Sequence, residues 1–159
     1  MSTNIIFKPD QHEMSVDDVR AAVFAWEKDK AASGQKQIEL RVEHIYSDGV
    51  YARVLHIPAG VELSGRIHLY ENLNILSSGE MHVLTEKGMQ HVKAGFHIVS
   101  APGTKRIAKT ITDCVWTTIL KTDEKDPEKI EKLFTVNDEK EYLAFAGNLT
   151  IEGNKPCLS

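Results

Sequence analysis

Arg66, His68, Tyr70 and Asn72 occupy every second position of one short run, Arg66-Ile67-His68-Leu69-Tyr70-Glu71-Asn72. In an extended chain all four share one face, with Ile67 and Leu69 on the other. A guanidinium stays protonated at any ordinary pH and can grip two oxygens of a phosphate or carboxylate at once. His68 and Asn72 would add neutral hydrogen bonds beside Arg66. Farther on, the turn Pro102-Gly103-Thr104 presents a second basic pair, Lys105-Arg106. The chemistry these residue types suggest is recognition of a small anion. Two orientations follow from the alternation alone. If the face with Arg66 points inward, its polar groups require water, a ligand or a mutual network; if it points outward, Ile67 and Leu69 go to the core.

Other chemistries leave weaker traces. His44, His56, His68, His82, His91 and His97 lie among strand-like runs, and a single histidine in a strand more often packs or faces solvent than ligates. There is no nucleophile elbow, phosphate loop or dinucleotide fingerprint. Glu71 and Asn72 are adjacent and face opposite ways, so no paired carboxylates form there. Cys114 and Cys157 lack the spacing of a zinc site or a disulfide framework and read as free thiols.

The elements that must position these residues are mostly strands. Between Pro58 and Gly103, short alternating runs such as Met81-His82-Val83-Leu84 and His97-Ile98-Val99 are separated by Gly, Ser and Pro clusters, the pattern of antiparallel strands and tight turns. Before them, Ile38, Leu40 and Val42 alternate with charged residues, and Ser47-Asp48-Gly49 turns the chain into a strand over Tyr51 to Ile57. After them come strands over Ile107 to Ile111 and Val115 to Leu120. Trp116 lies in the second, where it either floors the site or packs outside beneath a helix.

Helices flank the strands. Ser15 with Asp18 makes a capping box, and Val16, Val19, Val23 and Trp26 form one apolar face as far as the stop at Gly34. Asp126-Pro127-Glu128 starts a C-terminal helix, and Asn137-Asp138-Glu139 starts another that Gly147 ends, with Leu149 and Ile151 as a further short strand. Asn4 to Phe7 reads as an edge strand. The expected organisation is one structural domain: an arm and helix over 1–35, a β-barrel over 36–122, and C-terminal helices and tail over 123–159.

With 159 residues the chain can bury one sizeable core. Its net charge of -4, with Lys and Arg scattered, argues against a nucleic-acid polymer as partner. No apolar run approaches the ~20 residues of a membrane helix, and the N-terminus lacks the order of a signal peptide. A cytoplasmic protein that avoids membranes is expected.

The glycine frame resembles the cupin superfamily. Gly60, Arg66, His68, Asn72 and Gly79 fall on the spacing of the first cupin motif, and Gly95, Pro102, Gly103 and Arg106 lie on or beside the second. The resemblance implies a mainly β, jelly-roll β-barrel with the N-terminal helix and a short C-terminal helical cap added. Where that family places its metal ligands, this chain has Arg66, His68, Asn72 and Arg106. Only His68 is an ordinary ligand, and two guanidinium groups would repel a divalent cation. The implied metal site is degenerate, no cofactor is expected, and the implied guest is an anion.

The expected ligand-binding residues are Arg66, His68, Tyr70, Asn72, Lys105, Arg106 and Trp116, the arginines and lysine clamping a nucleotide or sugar phosphate and Tyr70 or Trp116 stacking on a ring. The stretch from Pro102 onward also resembles small cupin-like proteins of tailed phages, which implies sequestration of a host nucleotide signal in the host cytoplasm. Two alternatives stand beside non-catalytic binding. In a cupin enzyme similar to sugar-nucleotide epimerases, or a metal-dependent one, His68 and Tyr70 would act as base and acid. In a structural or assembly protein, side chains would fill the pocket. Self-association as a homodimer or larger assembly is expected in each case.

Overall fold

The computed structural model describes residues 13–34 and 38–152. The expected strand at Asn4 to Phe7 and the thiol of Cys157 lie outside the described residues.

Helix α1 spans Val16–Ala32, and its N-terminus is fixed as the sequence predicts: the Ser15 hydroxyl accepts from the Asp18 backbone N–H while Asp18 reaches back to the Ser15 N–H. The strands follow as β1 (Arg41–Ser47), β2 (Val50–Ile57), β3 (Glu62–Ser64), β4 (Ile67–His68), β5 (Asn72–Ser78), β6 (Glu80–Thr85), β7 (Gly88–Lys93), β8 (His97–Ser100), β9 (Ile107–Thr110) and β10 (Cys114–Lys121). Helix α2 (Pro127–Phe134), a short strand β11 (Thr135–Val136) and helix α3 (Glu139–Glu152) complete the chain.

The strand order defines the architecture. One sheet runs β1-β2-β10-β5-β8 and the other β3-β9-β6-β7, with β4 and β11 as a separate pair. The antiparallel partners are nested: β6 with β7, β5 with β8, β3 with β9 and β2 with β10. A long hairpin rolled up on itself gives this nesting, and it is the connectivity of a jelly roll. The protein is therefore mainly β, with helices at both ends.

Between the sheets lies an apolar core of Leu55, Ile57, Leu76, Met81, Val83 and Val92, with Cys114 and Val61 at its margin. Helix α1 lies on the outer face of the second sheet, where Val19 and Val23 pack on Leu84 and Ile107, with Trp26 beside them. Trp26 is thus a packing residue, as its place on the apolar stripe predicts. Helix α2 closes one end, its Ile130 and Phe134 packing on Tyr51 and Leu120.

Three expectations need correction. Arg66 to Tyr70 is not a continuous strand, since only Ile67–His68 pairs, with β11; its alternation nevertheless holds, with Ile67 and Leu69 buried and Arg66, His68 and Tyr70 half-buried. Second, α3 does not end at Gly147 but continues to Glu152, so Leu149 and Ile151 belong to a helix and not to a strand. An interior glycine weakens a helix by about 1 kcal/mol without stopping it. Third, β11 interrupts the two C-terminal helices where the sequence showed only a join.

Candidate functional site

Inward-facing residues of the first sheet divide by height. At one end Leu55, Leu76 and Trp116 belong to the core. At the other, one row across three strands holds Arg53, Thr118 and Asn74, in register on β2, β10 and β5. Asn72 and Ser100 pair across β5 and β8 in the next row. This polar half is the candidate site.

Asn74 is its hub. The buried Asn74 side chain donates from Nδ2 to Asn72 Oδ1 at 2.7 Å and to Ser100 Oγ at 3.0 Å. Its Oδ1 accepts from Trp116 Nε1 at 3.2 Å and from Thr118 Oγ1 at 2.7 Å. An indole nitrogen only donates, so the Trp116 bond fixes which way the amide points. Trp116 therefore faces inward, between this network and Phe96, whose ring centroid is 6.4 Å away.

Arg106 enters from the opposing sheet. Its guanidinium donates to Ser100 Oγ and to the Leu84 carbonyl oxygen, each at 3.2 Å, and to Glu86 Oε2 at 3.4 Å. The side chain is 11% exposed, and its Nε has no hydrogen-bond partner among the described residues. Burial works against its charge while Glu86 supports it. Glu86 also lines a cleft of about 380 Å³ between β7 and β8, together with Thr85, Gln90, Phe96, His97 and Ile98. Arg106 does not itself line this cleft and meets it only through Glu86.

His68 completes the set. Its backbone is held by the turn before β9, the His68 N–H donating to Thr104 O at 2.9 Å and the Gly103 N–H to His68 O at 2.7 Å. Its Nδ1 is buried without a hydrogen-bond partner among the described residues. Burial, followed by the positive charges of Arg106 and Arg53, lowers its pKa from 6.5 to about 4. His68 is therefore a neutral imidazole at ordinary pH. Arg53, exposed on the inner face of β2, makes no hydrogen bond or ion pair among the described residues.

The structure gathers four of the residues expected from sequence, His68, Asn72, Arg106 and Trp116, and takes three elsewhere. Arg66 bonds Thr135 Oγ1 at 2.8 Å and Glu131 Oε1 at 3.3 Å, tying β4 to α2. The Tyr70 ring packs edge-on against Phe134 and Phe145, each at a centroid distance of 5.5 Å. Lys105 is 4% exposed on the opposite side of β9, where its Nζ meets Glu27 at 2.8 Å and lies over the Phe24 ring. Lys105 and Arg106 lie just before β9, and successive side chains of an extended segment face opposite ways, which separates the two.

Arg53, Asn74, Ser100 and Thr118 were missed by the sequence reading. Two of them had a signal. Asn74 continues the alternation of Asn72, and Arg53 is the one cation in the inward series Tyr51, Arg53, Leu55, Ile57.

A divalent cation does not fit this donor set. One imidazole between two guanidinium groups, backed by neutral amides and hydroxyls, offers too few ligands and the wrong charge. Among the described residues no three His, Cys, Asp or Glu side chains converge. The two acid–base candidates differ in setting: burial holds the His68 imidazole neutral, and the Tyr70 ring packs on Phe134 and Phe145.

No family model and no curated protein matches the chain. Among solved structures it is similar to a cupin domain from Bordetella pertussis Tohama I, with 18% identity, a TM-score of 0.43, and 56% of this chain and 99% of that one covered. It is also similar to a putative ethanolamine utilization protein Q from Salmonella typhimurium LT2, with 14% identity, a TM-score of 0.46, and 58% of this chain and 76% of that one covered. A third is KdgF from Halomonas sp., with 12% identity, a TM-score of 0.46, and coverage of 56% and 86% respectively.

Proposed function

We propose that the protein binds a small anionic ligand without altering it chemically, the anionic group lying between Arg106 and Arg53 with His68 beside it. The observation that carries this reading is the pair of buried polar atoms left without partners among the described residues, His68 Nδ1 and Arg106 Nε. Buried donors and acceptors are nearly always satisfied, and an oxyanion entering here would receive an N–H from Arg106 and one from the matching His68 tautomer. Asn74 is saturated within its network, while the Ser100 hydroxyl proton and the Thr118 hydroxyl oxygen are left among the described residues to meet a polar, hydroxylated body. Both aromatic candidates are engaged, Tyr70 with two phenylalanines and Trp116 with Asn74 and Phe96. A sugar phosphate is therefore favoured over a nucleotide, and capture of a host nucleotide signal is the less favoured form of the same reading.

Native mass spectrometry of freshly purified protein, with calorimetric titration of a sugar phosphate, a nucleoside monophosphate and inorganic phosphate, tests it. Arg106→Ala and Arg53→Ala should each weaken binding at least about tenfold, while Arg66→Ala leaves it unchanged. Absence of binding to all three probes, a stoichiometric metal mass, or an Arg66→Ala loss equal to that of Arg106→Ala would overturn it.

A further inference from the structure

The register row that holds the anion site does not stop at Arg53. On β1, His44 stands opposite Arg53, so the row reads His44, Arg53, Thr118, Asn74 across β1, β2, β10 and β5. His44 shares their inward face. Val42, of the same parity on β1, packs on the core, and His44 Nδ1 lies 2.7 Å from Tyr51 Oη with the two rings stacked at 14°. Tyr51 is 2% exposed and belongs to the cluster that α2 closes. Burial raises the pKa of that phenol, so it keeps its proton near neutrality. The hydroxyl has no other acceptor among the described residues, so it donates to His44 Nδ1. In the neutral His44 ring the remaining proton is then on Nε2. His44 is exposed, and that Nε2–H has no partner among the described residues.

We infer that His44 is a specificity-determining residue of the anion site, its Nε2–H donating to an oxygen of the ligand's hydroxylated body. This rests on the proposed anion binding and adds what lies beyond the anionic group. Exposure along the row sets the direction. Asn74 is buried, Thr118 half-buried, and Arg53 and His44 exposed, so a ligand whose anionic group lies between Arg106 and Arg53 leaves toward β1. The neighbouring rows are closed, Leu55 and Trp116 by the core and Tyr51 and Leu120 by α2. At the far end of the row Ile98 opens on the cleft between β7 and β8, where the carboxylates of Glu13 and Glu86 against one lysine, Lys87, disfavour an anion. Adjacent strands are about 4.8 Å apart. An oxygen one strand beyond the group at Arg53 is within the span of a sugar and outside that of a free phosphate. A donor fixed at that place therefore selects a phosphate carrying a hydroxylated body, which gains a hydrogen bond that free phosphate cannot make.

Calorimetric titration of the full chain with glucose 6-phosphate and with inorganic phosphate tests this, with thermal melts of every variant. His44→Ala should weaken glucose 6-phosphate about five- to tenfold and inorganic phosphate by less than about twofold. His44→Gln, whose amide keeps an N–H donor, should stay within about threefold of wild type for both. Tyr51→Phe leaves His44 in place and removes the group that fixes its tautomer. The His44 ring should then move, by nitrogen-15 NMR, from the Nε2–H form toward a mixture, with glucose 6-phosphate weakened about two- to threefold and inorganic phosphate unchanged. Equal losses on both probes in His44→Ala, no loss in it, or a wild-type His44 ring protonated on Nδ1 alone would overturn the inference. If His44→Ala is silent while Arg53→Ala still weakens inorganic phosphate, the anion site stands without this residue; if wild type binds neither probe, the anion site itself falls.

Discussion

Arg20 on α1 and Glu139 on α3 lie 119 positions apart in the chain and meet in a two-point ion pair, Nε to Oε2 at 2.6 Å and Nη2 to Oε1 at 2.9 Å. The same guanidinium donates from Nη1 to the Gly103 carbonyl oxygen at 3.0 Å and sits 4.4 Å over the Tyr142 ring. One side chain, 2% exposed, thus joins both terminal helices to the turn that holds the His68 backbone. Arg20→Met should lower the unfolding free energy by roughly 3 kcal/mol, since it strands the Gly103 carbonyl and frees α3. Glu139→Gln, at the more exposed end and with Asp17 still 2.8 Å from Arg20, should lower it by about 1 kcal/mol. Urea unfolding, with limited proteolysis beyond residue 138, measures both.

The Arg20 clamp shows why part of this fold was legible and part was not. Strand positions, the Ser15 cap and the Asp126-Pro127 start are written in local periodicity and turn chemistry, so they could be read directly. Arg20 lies one residue beyond Val19 on the buried stripe of α1 and looks like an ordinary solvated charge until a helix more than a hundred residues away arrives. Lys105 and Arg66 turn away from the site for the same reason. Their partners, Glu27 and Glu131, come from helices whose docking no local pattern encodes. His68, Asn72 and Arg106 stand at positions that the motif spacing singles out, and Asn74 and Ser100 link the last two. Arg53 was overlooked although its inward phase was visible.

Asn74 should be the least replaceable polar residue of the site. Substitution by Leu removes the acceptor of Trp116 and Thr118 and the donor to Asn72 and Ser100 together. The expected loss is on the order of 3 kcal/mol, because buried partners left unsatisfied cost more than the bonds contribute. Tryptophan emission, read in a Trp26→Phe background so that only Trp116 reports, should shift to the blue as its N–H loses its acceptor. An unchanged spectrum would show that the indole is solvated independently of Asn74.

Stability should depend on pH through His68. Its folded pKa of about 4 lies below the ordinary 6.5, so between these values the unfolded chain binds a proton that the folded chain refuses. Stability therefore rises with pH across that window, is complete above about 6.5, and is lost as pH falls toward 4. The His68 contribution is on the order of 3 kcal/mol. His68→Gln should flatten this part of the profile relative to wild type, which separates it from the other histidines. An NMR titration placing the His68 midpoint near 6.5 would refute the assignment.

Gly79 and Gly103 should differ in how an added methyl is received, although both have positive φ, 90° and 88°. At Gly103 a Cβ would meet the Tyr142 hydroxyl at 2.5 Å and Arg20 Nη1 at 2.9 Å, the far ends of two flexible side chains. At Gly79 it would meet the Asp113 carbonyl oxygen and the Cys114 Cα, which are backbone in the β10 approach and cannot swing aside. Both alanines carry the left-handed penalty of about 1 kcal/mol. Gly79→Ala adds a backbone clash that must displace β10 from β5, so it should fail to give folded protein. Gly103→Ala should fold with a loss of roughly 2–3 kcal/mol, as Tyr142 swings out and the Arg20 clamp loosens. Because that clamp fixes the turn pairing with His68, Gly103→Ala should also move the His68 titration midpoint up toward its ordinary value. A variant destabilised with that midpoint unmoved would mean that the turn holds the chain but not the site.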